Sequence, residues 1–585
     1  MSEGHRSGDG RGRDDRGRDD RGRDDRGRED RRGPRRDDRA GREDRRGPRR
    51  GDGDRPRRDD RGTRGEDRGP RRDDRDERRG TGERRGGRDA KGRERSGSRG
   101  QGGPRRGWSE SRPSERSRRS TSSRSVAFEA LRTVREDDAY ANLVLPGLLR
   151  RSRVSGRDAA FATELFYGSL RAQGRLDAII AACVDRGLDD IEGDVLDVLR
   201  LGAYQLLDMS VAPHAATSET VALAREVAGH GAGGFVNAVL RRVGERDLDS
   251  WIQEVAPARE EDEVGHLAIA HSHPEWIVRA LSDALAAHGR DRSEIDALLA
   301  AQNAAPAVSL VMRPGLTDLD ELIDNGASAG RLSLFAASWP SGDPGGTDPV
   351  REGRAAVQDE GSQLMALALA LGADDLVLEE NGRWLDLCAG PGGKTALLAG
   401  LTVDHDAELL AVELQEHRAR LVDRAVATLV EAGAEVTTRT ADGRDIGAEM
   451  PATFSRVLAD VPCSGLGALR RRPESRWRRT AADVGQLGGI QRDLLRSALD
   501  ATAPGGVVAY VTCSPHLAET LLIVQDVVRR RDDVEQLDAR PAVRAGLLPA
   551  AQDVELGAGP GVQLWPHVHG TDAMFIALLR RTPAP

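Results

Sequence analysis

From Val126 to about Val243, apolar residues recur at spacings of three and four, with Gly and Pro falling in the gaps. The stretches "VAFEALRTVREDDAYANLVLPGLLRR", "GRDAAFATELFYGSLRAQGRLDAIIAACV", "DVLDVLRLGAYQLLDM" and "TVALAREVAG" predict amphipathic helices, closed by a short one in "GGFVNAVLRRVGER". Together they predict a compact all-α domain. "PEWIVRALSDALAAHG" and "EIDALLAAQN" continue as helices. "AVSLVMR", a helix around "DLDELIDNG", and "RLSLFAAS" predict a small α/β module. After Val350 strand and helix alternate: "RWLDLC", "GKTALLAGL", "AELLAVEL", "QEHRARLVDRAVATLVEAG", "EVTTRTA", "FSRVLADV", "GGIQRDLLRSALDATA", "GGVVAYVTC" and "HLAETLLIVQDVVRRR". That alternation predicts a mostly parallel sheet with helices on both faces, whose ligands sit at the carboxyl ends of the strands.

The first 124 residues carry no such period. They are Arg, Asp and Gly in short repeats such as "RGRDDRGRDDRGRDDRGRED", with too little apolar surface to offset chain entropy, and are expected to be disordered. The expected organisation is therefore a tail over 1–124, an all-α domain over 125–250, linker helices with the small α/β module, expected to bind RNA, over 251–355, and an α/β domain of Rossmann-like type over 356–585. The net charge of −8 conceals an asymmetry: the tail holds 44 basic and 29 acidic residues of the chain's 89 and 97, so it carries +15 and the remainder −23. Arginine suits bidentate phosphate contact, so the tail either touches RNA non-specifically or is a solvated extension with weak, salt-sensitive affinity.

No apolar run reaches the roughly 18 residues of a membrane span and no leader pattern is seen, so a cytoplasmic protein without membrane contact is expected. The four cysteines, Cys183, Cys388, Cys463 and Cys513, make neither a disulfide framework nor a CxxC metal site, so no metal is expected.

Candidate chemistry starts at the first strand-to-helix turn of the α/β domain, "DLCAGPGGKT" (Asp386–Thr395). Gly390, Gly392 and Gly393 allow close backbone approach to a ligand and Pro391 stiffens the turn, although the P-loop and GxGxxG spacings are both absent. Glu413 ends the next strand, where an acid can accept both hydroxyls of a ribose. Asp442, in "ADGRD" after the third strand, suits an adenine amino group. Each acid alone reads as a solvated loop charge; in register, they resemble an adenosine site. Lys394 is the only lysine outside the tail. It either supplies an ammonium in particular or snorkels from a helix start.

Two further stretches, "LADVPCSGLG" (Leu458–Gly467) and "AYVTCSPHLA" (Ala509–Ala518), end apolar runs in the same frame, each with a cysteine followed by serine. Taken in order, "DLCAGPGGKT", "LADVPCSGLGALRRRPESRW" and "AYVTCS" resemble the Sun/Fmu family of RNA cytosine-5 methyltransferases, and the all-α domain resembles the NusB-type RNA-binding module of its bacterial 16S rRNA-methylating members. The resemblance covers roughly Val126 to the end. It implies S-adenosylmethionine against Cys388, Ala389, Gly390, Pro391, Gly392, Gly393 and Lys394, with Glu413, Asp442 and Asp460 as polar contacts. It also implies that Cys513 is the nucleophile and that Cys463 assists product release. The chain departs from the family at Gly390, where alanine is common, at Val461, and at "VMRPG", where an Arg-x-Asn is often found.

The chemistry explains two thiols. Carbon 5 of cytosine is a poor nucleophile until a thiolate adds to carbon 6 and makes it enamine-like. Protonating ring nitrogen 3 helps, and Asp460 is placed to be that acid if desolvation raises its pKa. In DNA cytosine-5 methyltransferases the nucleophile belongs to a Pro-Cys motif, which by shape alone points to Cys463; only the resemblance favours Cys513. Cys183 reads as a buried helix residue and Cys388 as a small loop residue. "RRRPESRW" (Arg470–Trp477) reads either as a phosphate-contacting, base-stacking loop or as a solvated charged one. Further phosphate contacts are expected at "LRRVGER" and "LLRRSRV". The expected function is methylation of a 16S rRNA cytosine by a monomer. A tRNA cytosine-5 methyltransferase and a non-catalytic RNA-binding assembly factor stand as alternatives.

Overall fold

The computed structural model describes residues 122–377 and 380–582. The expectation of a disordered tail falls on residues outside these, except that Ser122–Arg124 form the first turn of a helix. Arg124 is buried there, and its Nε donates to Gln205 Oε1 at 2.8 Å. Seven helices follow one another: Ser122–Glu136, Ala141–Arg151, Gly156–Arg171, Gln173–Ala182, Gly193–Leu207, Pro213–Val243 and Leu248–Val255. Their apolar stripes meet in one core that includes Phe128, Leu165, Phe166, Ile180, Leu199 and Trp251. Each such side chain stabilises by about 1.5–3 kcal/mol relative to an exposed one. The longest helix is broken at Gly229, whose φ of 84° only glycine adopts without strain.

The linker helices are Glu263–Ala270, Glu275–Ala287 and Ile295–Asn303. Their buried faces share a cluster with Leu466, Leu469 and Trp565 of the α/β part. The small sheet is antiparallel, built from β1 (Val308–Met312), β2 (Ser328–Ala329), β3 (Ala336–Trp339) and β4 (Ala355–Val357) in the order β2-β3-β1-β4.

The main sheet holds β5 (Arg383–Asp386), β6 (Glu408–Glu413), β7 (Glu435–Thr440), β8 (Phe454–Asp460), β9 (Thr502–Thr512), β10 (Val534–Leu537), β11 (Val562–Gln563) and β12 (Phe575–Arg581). The order is β10-β12-β9-β8-β5-β6-β7, with β11 on β12. The pairs β5–β6, β6–β7, β5–β8 and β8–β9 are parallel, as the alternation predicts. β12 runs antiparallel to β9, β10 and β11. Strand β9 shows the period of two that buries both faces. Val507, Ala509 and Val511 pack with the helix Glu360–Ala370, while Val508 and Tyr510 pack with the helix Ala481–Ala501. The chain builds outward from β5 through β6 to β7, then returns to place β8 on the other side of β5. In open α/β sheets such a reversal marks the ligand crevice, and here it falls at the carboxyl ends of β5 and β8.

Candidate active site

The glycine turn leaves β5 at Asp386 and enters the helix Gly393–Thr402. Glu413, buried at the end of β6, holds it from one side: Oε2 accepts from Gly390 N at 3.1 Å and Oε1 from Gln415 N at 2.9 Å. Arg418 completes the clasp, donating to the Gly390 carbonyl at 2.5 Å and lying 3.5 Å from Glu413 Oε2. A Cβ at position 390 would stand 2.1 Å from Glu413 Oε2, so an alanine here would require the Glu413 carboxylate to shift. Thr395 Oγ1 donates to Asp386 Oδ2 at 2.7 Å, and burial pushes the Asp386 carboxyl up to about 7. Burial also drives the Cys388 thiol well above its ordinary value and keeps it neutral. Asp442 caps the helix Gly443–Glu449, and both its oxygens are gripped by Arg444. Glu413 and Asp442 thus stand on neighbouring strand ends beside a close-approach turn, an arrangement that fits a nucleoside with a free ribose edge.

The cysteine turns leave adjacent parallel strands, since Asp460 of β8 is level with Val511 of β9. Their sulfurs lie 3.2 Å apart, both thiols are free, and both are partly exposed. At that distance a hydrogen bond joins them, with either thiol able to donate. The hydrogen bond from Cys463 lowers the Cys513 thiol below its ordinary value; burial and the Asp460 charge oppose it, while the Lys394 ammonium acts in the same direction as Cys463. The same hydrogen bond, with burial, raises Cys463. Lys394 Nζ donates to Asp460 Oδ2 at 2.7 Å. Burial works against that ammonium, but the Asp460 charge outweighs it and holds its pKa above the ordinary value. Asp460 thus accepts a hydrogen bond from Lys394 at the end of β8.

One residue that sequence reading missed fixes both turns. Glu519 is fully buried and accepts from Ser464 N at 2.7 Å, Ser464 Oγ at 2.5 Å, Ser514 Oγ at 2.6 Å and Gln491 Nε2 at 3.2 Å. The serine after each cysteine is thus a tether to one carboxylate. Gly467 seals the same junction: its N–H donates to Cys513 O at 2.9 Å, and a Cβ there would meet Ala573 O at 2.0 Å. Glu519→Ala strips the acceptor from four buried donors. It is expected to cost about 3 kcal/mol of unfolding free energy in a denaturant titration. An unchanged midpoint would show that the tether carries no stability.

"RRRPESRW" belongs neither to a phosphate loop nor to a solvated one. Arg470 bonds Asp572 at 2.7 Å and Asp359 at 3.0 Å, and Arg471 shares both acids. Arg476 is wholly buried and donates to Arg171 O, Ser272 O, Gln302 O and Asn303 Oδ1 within 3.1 Å. Trp477 lies on Gly174, where a Cβ would come within 2.4 Å of its ring. The segment is a staple between the helical part and the catalytic edge. Its charges satisfy carbonyls and acids far away in sequence, which no local pattern reveals. Arg472 differs from those three: exposed, with no hydrogen bond or ion pair from its side chain among the described residues, it lies 5.1 Å from the Tyr140 ring. Of the other arginines singled out, Arg150, Arg151 and Arg153 are exposed, while Arg242 donates to Cys183 O and Arg246 pairs with Glu254. Among the described residues no group of three or more His, Cys, Asp or Glu is arranged to hold a metal, and no helix is long and apolar enough to cross a membrane.

Residues 373–580 match the family description 16S rRNA methyltransferase RsmB/F, and residues 121–245 match the NusB family. The chain is 52% identical over 459 residues to a Mycobacterium tuberculosis protein that carries the name methyltransferase Rv1407, covering 78% of this chain and 96% of that one. It is 31% identical over 478 residues to the ribosomal RNA small subunit methyltransferase B of Pseudomonas syringae, covering 79% and 97%. The crystal structure of the protein PH0851 superposes with a TM-score of 0.63 at 20% identity, over 79% of this chain and 98% of that one, a likeness of fold.

Proposed function

The chain belongs to the RsmB/F family of rRNA methyltransferases, and from that premise we propose that it methylates carbon 5 of a cytosine in 16S rRNA through a transient bond from Cys513 to carbon 6 of the base. S-adenosylmethionine, when bound, supplies an electrophilic methyl group. The turn Cys388–Lys394 with Glu413 and Asp442 would hold its nucleoside half.

What the residues do follows from where they stand. Cys513, the thiol with the lowered pKa, adds to carbon 6 as thiolate. The electron pair of the 5,6 double bond moves into the ring, and the Lys394–Asp460 pair faces that developing charge with a proton to donate. Carbon 5 would then use that electron pair for its bond to the methyl group; its hydrogen leaves as a proton to solvent water, and the C–H pair re-forms the double bond and expels the Cys513 sulfur. Cys463, 3.2 Å away, is the proton donor nearest that leaving sulfur. The observation that carries the reading is this pair of free thiols beside an ammonium–carboxylate pair at the crevice of the sheet. Arg472 over Tyr140, with the exposed arginines of the NusB-like part, offers the RNA a cationic approach. The chemistry belongs to the cytoplasm, where rRNA is made.

Unmodified 16S rRNA carrying tritium at carbon 5 of its cytosines tests this. Each methyl transferred is expected to release one tritium to water. Methyl transfer without release would place the methyl on another atom. Transfer to tRNA but not to rRNA would move the substrate, and transfer to neither would leave an RNA-binding assembly factor.

A further inference from the structure

Five of the six buried arginines among the described residues have partners of the usual kind. Arg171 meets Glu164, Arg456 meets Asp374 and Glu380, Arg470 meets two aspartates, Arg476 four oxygens, and Arg124 a glutamine. Arg313, directly after β1 and only 3% exposed, has no ion pair among the described residues. Its Nη1 makes a 3.3 Å hydrogen bond to Gly393 O, and its Nε has no partner. Burial pushes its pKa down to about 10, which still leaves it charged at neutral pH. A buried cation without a counter-ion costs several kcal/mol, so its retention calls for an anion.

The place it points to is already suited to one. Gly393 begins a helix of 10 residues, whose amino end presents free N–H groups and a partial positive charge. Pro314 packs on Gly400 of the same helix, where a Cβ would stand 2.7 Å away, and so seats the Arg313 segment against it. Gln358 forms the other wall. Its Nε2 would lie 3.6 Å from a Cβ on Gly393, and its Oε1 is buried without a partner. An unpaired cation and an unpaired acceptor therefore flank one helix start. A phosphodiester would satisfy the first and leave the second empty, whereas an α-amino acid satisfies both.

We infer that Arg313, Gln358 and the amino end of the Gly393 helix form the subsite for the amino-acid end of the cofactor, with Arg313 taking the α-carboxylate and Gln358 Oε1 the α-ammonium. This rests on the cofactor reading of the glycine turn above. It also assigns a role to the small antiparallel sheet, which delivers Arg313 to the catalytic domain.

Calorimetry on the full chain with S-adenosylhomocysteine and with 5′-methylthioadenosine, which lacks the amino-acid end, tests it. Arg313→Met is expected to weaken S-adenosylhomocysteine roughly 10- to 100-fold and to leave methylthioadenosine unchanged. Equal loss of both ligands would make Arg313 structural, and no loss of either would remove it from the site; both results overturn the inference. A fall in affinity for 16S rRNA with S-adenosylhomocysteine unaffected would make it a phosphate contact, and overturns it too. Should Arg313→Met not fold, Gln358→Leu carries the same expectation and the same refutations. Wild-type protein that binds neither ligand would instead bring down the cofactor reading itself.

Discussion

Cys513→Ala is expected to lower methyl transfer at least about 10⁴-fold and to yield no protein–RNA band on a denaturing gel. The size of the effect follows from the base. Without addition at carbon 6, carbon 5 stays part of a conjugated ring and has no electron pair to offer, so binding and orientation alone are left. The wild-type rate should also rise with pH through a thiol pKa below the ordinary 9.0, because thiolate is the reacting form and Cys463 stabilises it. Below that pKa the rate falls tenfold per pH unit. Retained activity in Cys513→Ala would remove the carbon 6 adduct at this sulfur from the mechanism.

How far the sequence could lead is seen by comparing two acids near the same edge. Glu413 was legible because a strand-end acid about twenty residues beyond a glycine turn has a known geometric meaning, and the structure sets it against Gly390. Glu519 was not. It lies six residues after Cys513 in "CSPHLAE", where nothing in composition separates a surface acid from one that collects four donors. The strands divide the same way. Alternation gave β5 to β9 because each is bounded by a helix of clear period. β12 joins antiparallel to β9 after a long irregular connection, and pairing at such separation leaves no local trace. The arginine segment shows the reverse error: its density of charge pointed outward to RNA, while the fold turned Arg470, Arg471 and Arg476 inward onto partners 100 to 305 residues distant.

Cys463→Ala is expected to accumulate a covalent protein–RNA complex, seen as a slow band that protease removes. Two effects compete. Removing Cys463 takes away the hydrogen bond that lowers Cys513, so the thiolate fraction falls and addition slows. One pKa unit amounts to about 1.4 kcal/mol, or tenfold in the thiolate available at a pH below it. The same change also removes the proton donor beside the leaving sulfur, and a positioned general acid is worth about 10²- to 10⁴-fold. Breakdown therefore loses more than formation, and the adduct builds up although it forms more slowly. Raising the pH restores the thiolate but not the donor, so the band should strengthen between neutral and mildly alkaline buffer. The double variant Cys463→Ala/Cys513→Ala should show none. If instead Cys513→Ala traps the band and Cys463→Ala does not, the two sulfurs exchange roles, and the lowered thiol of the pair is not the one that attacks.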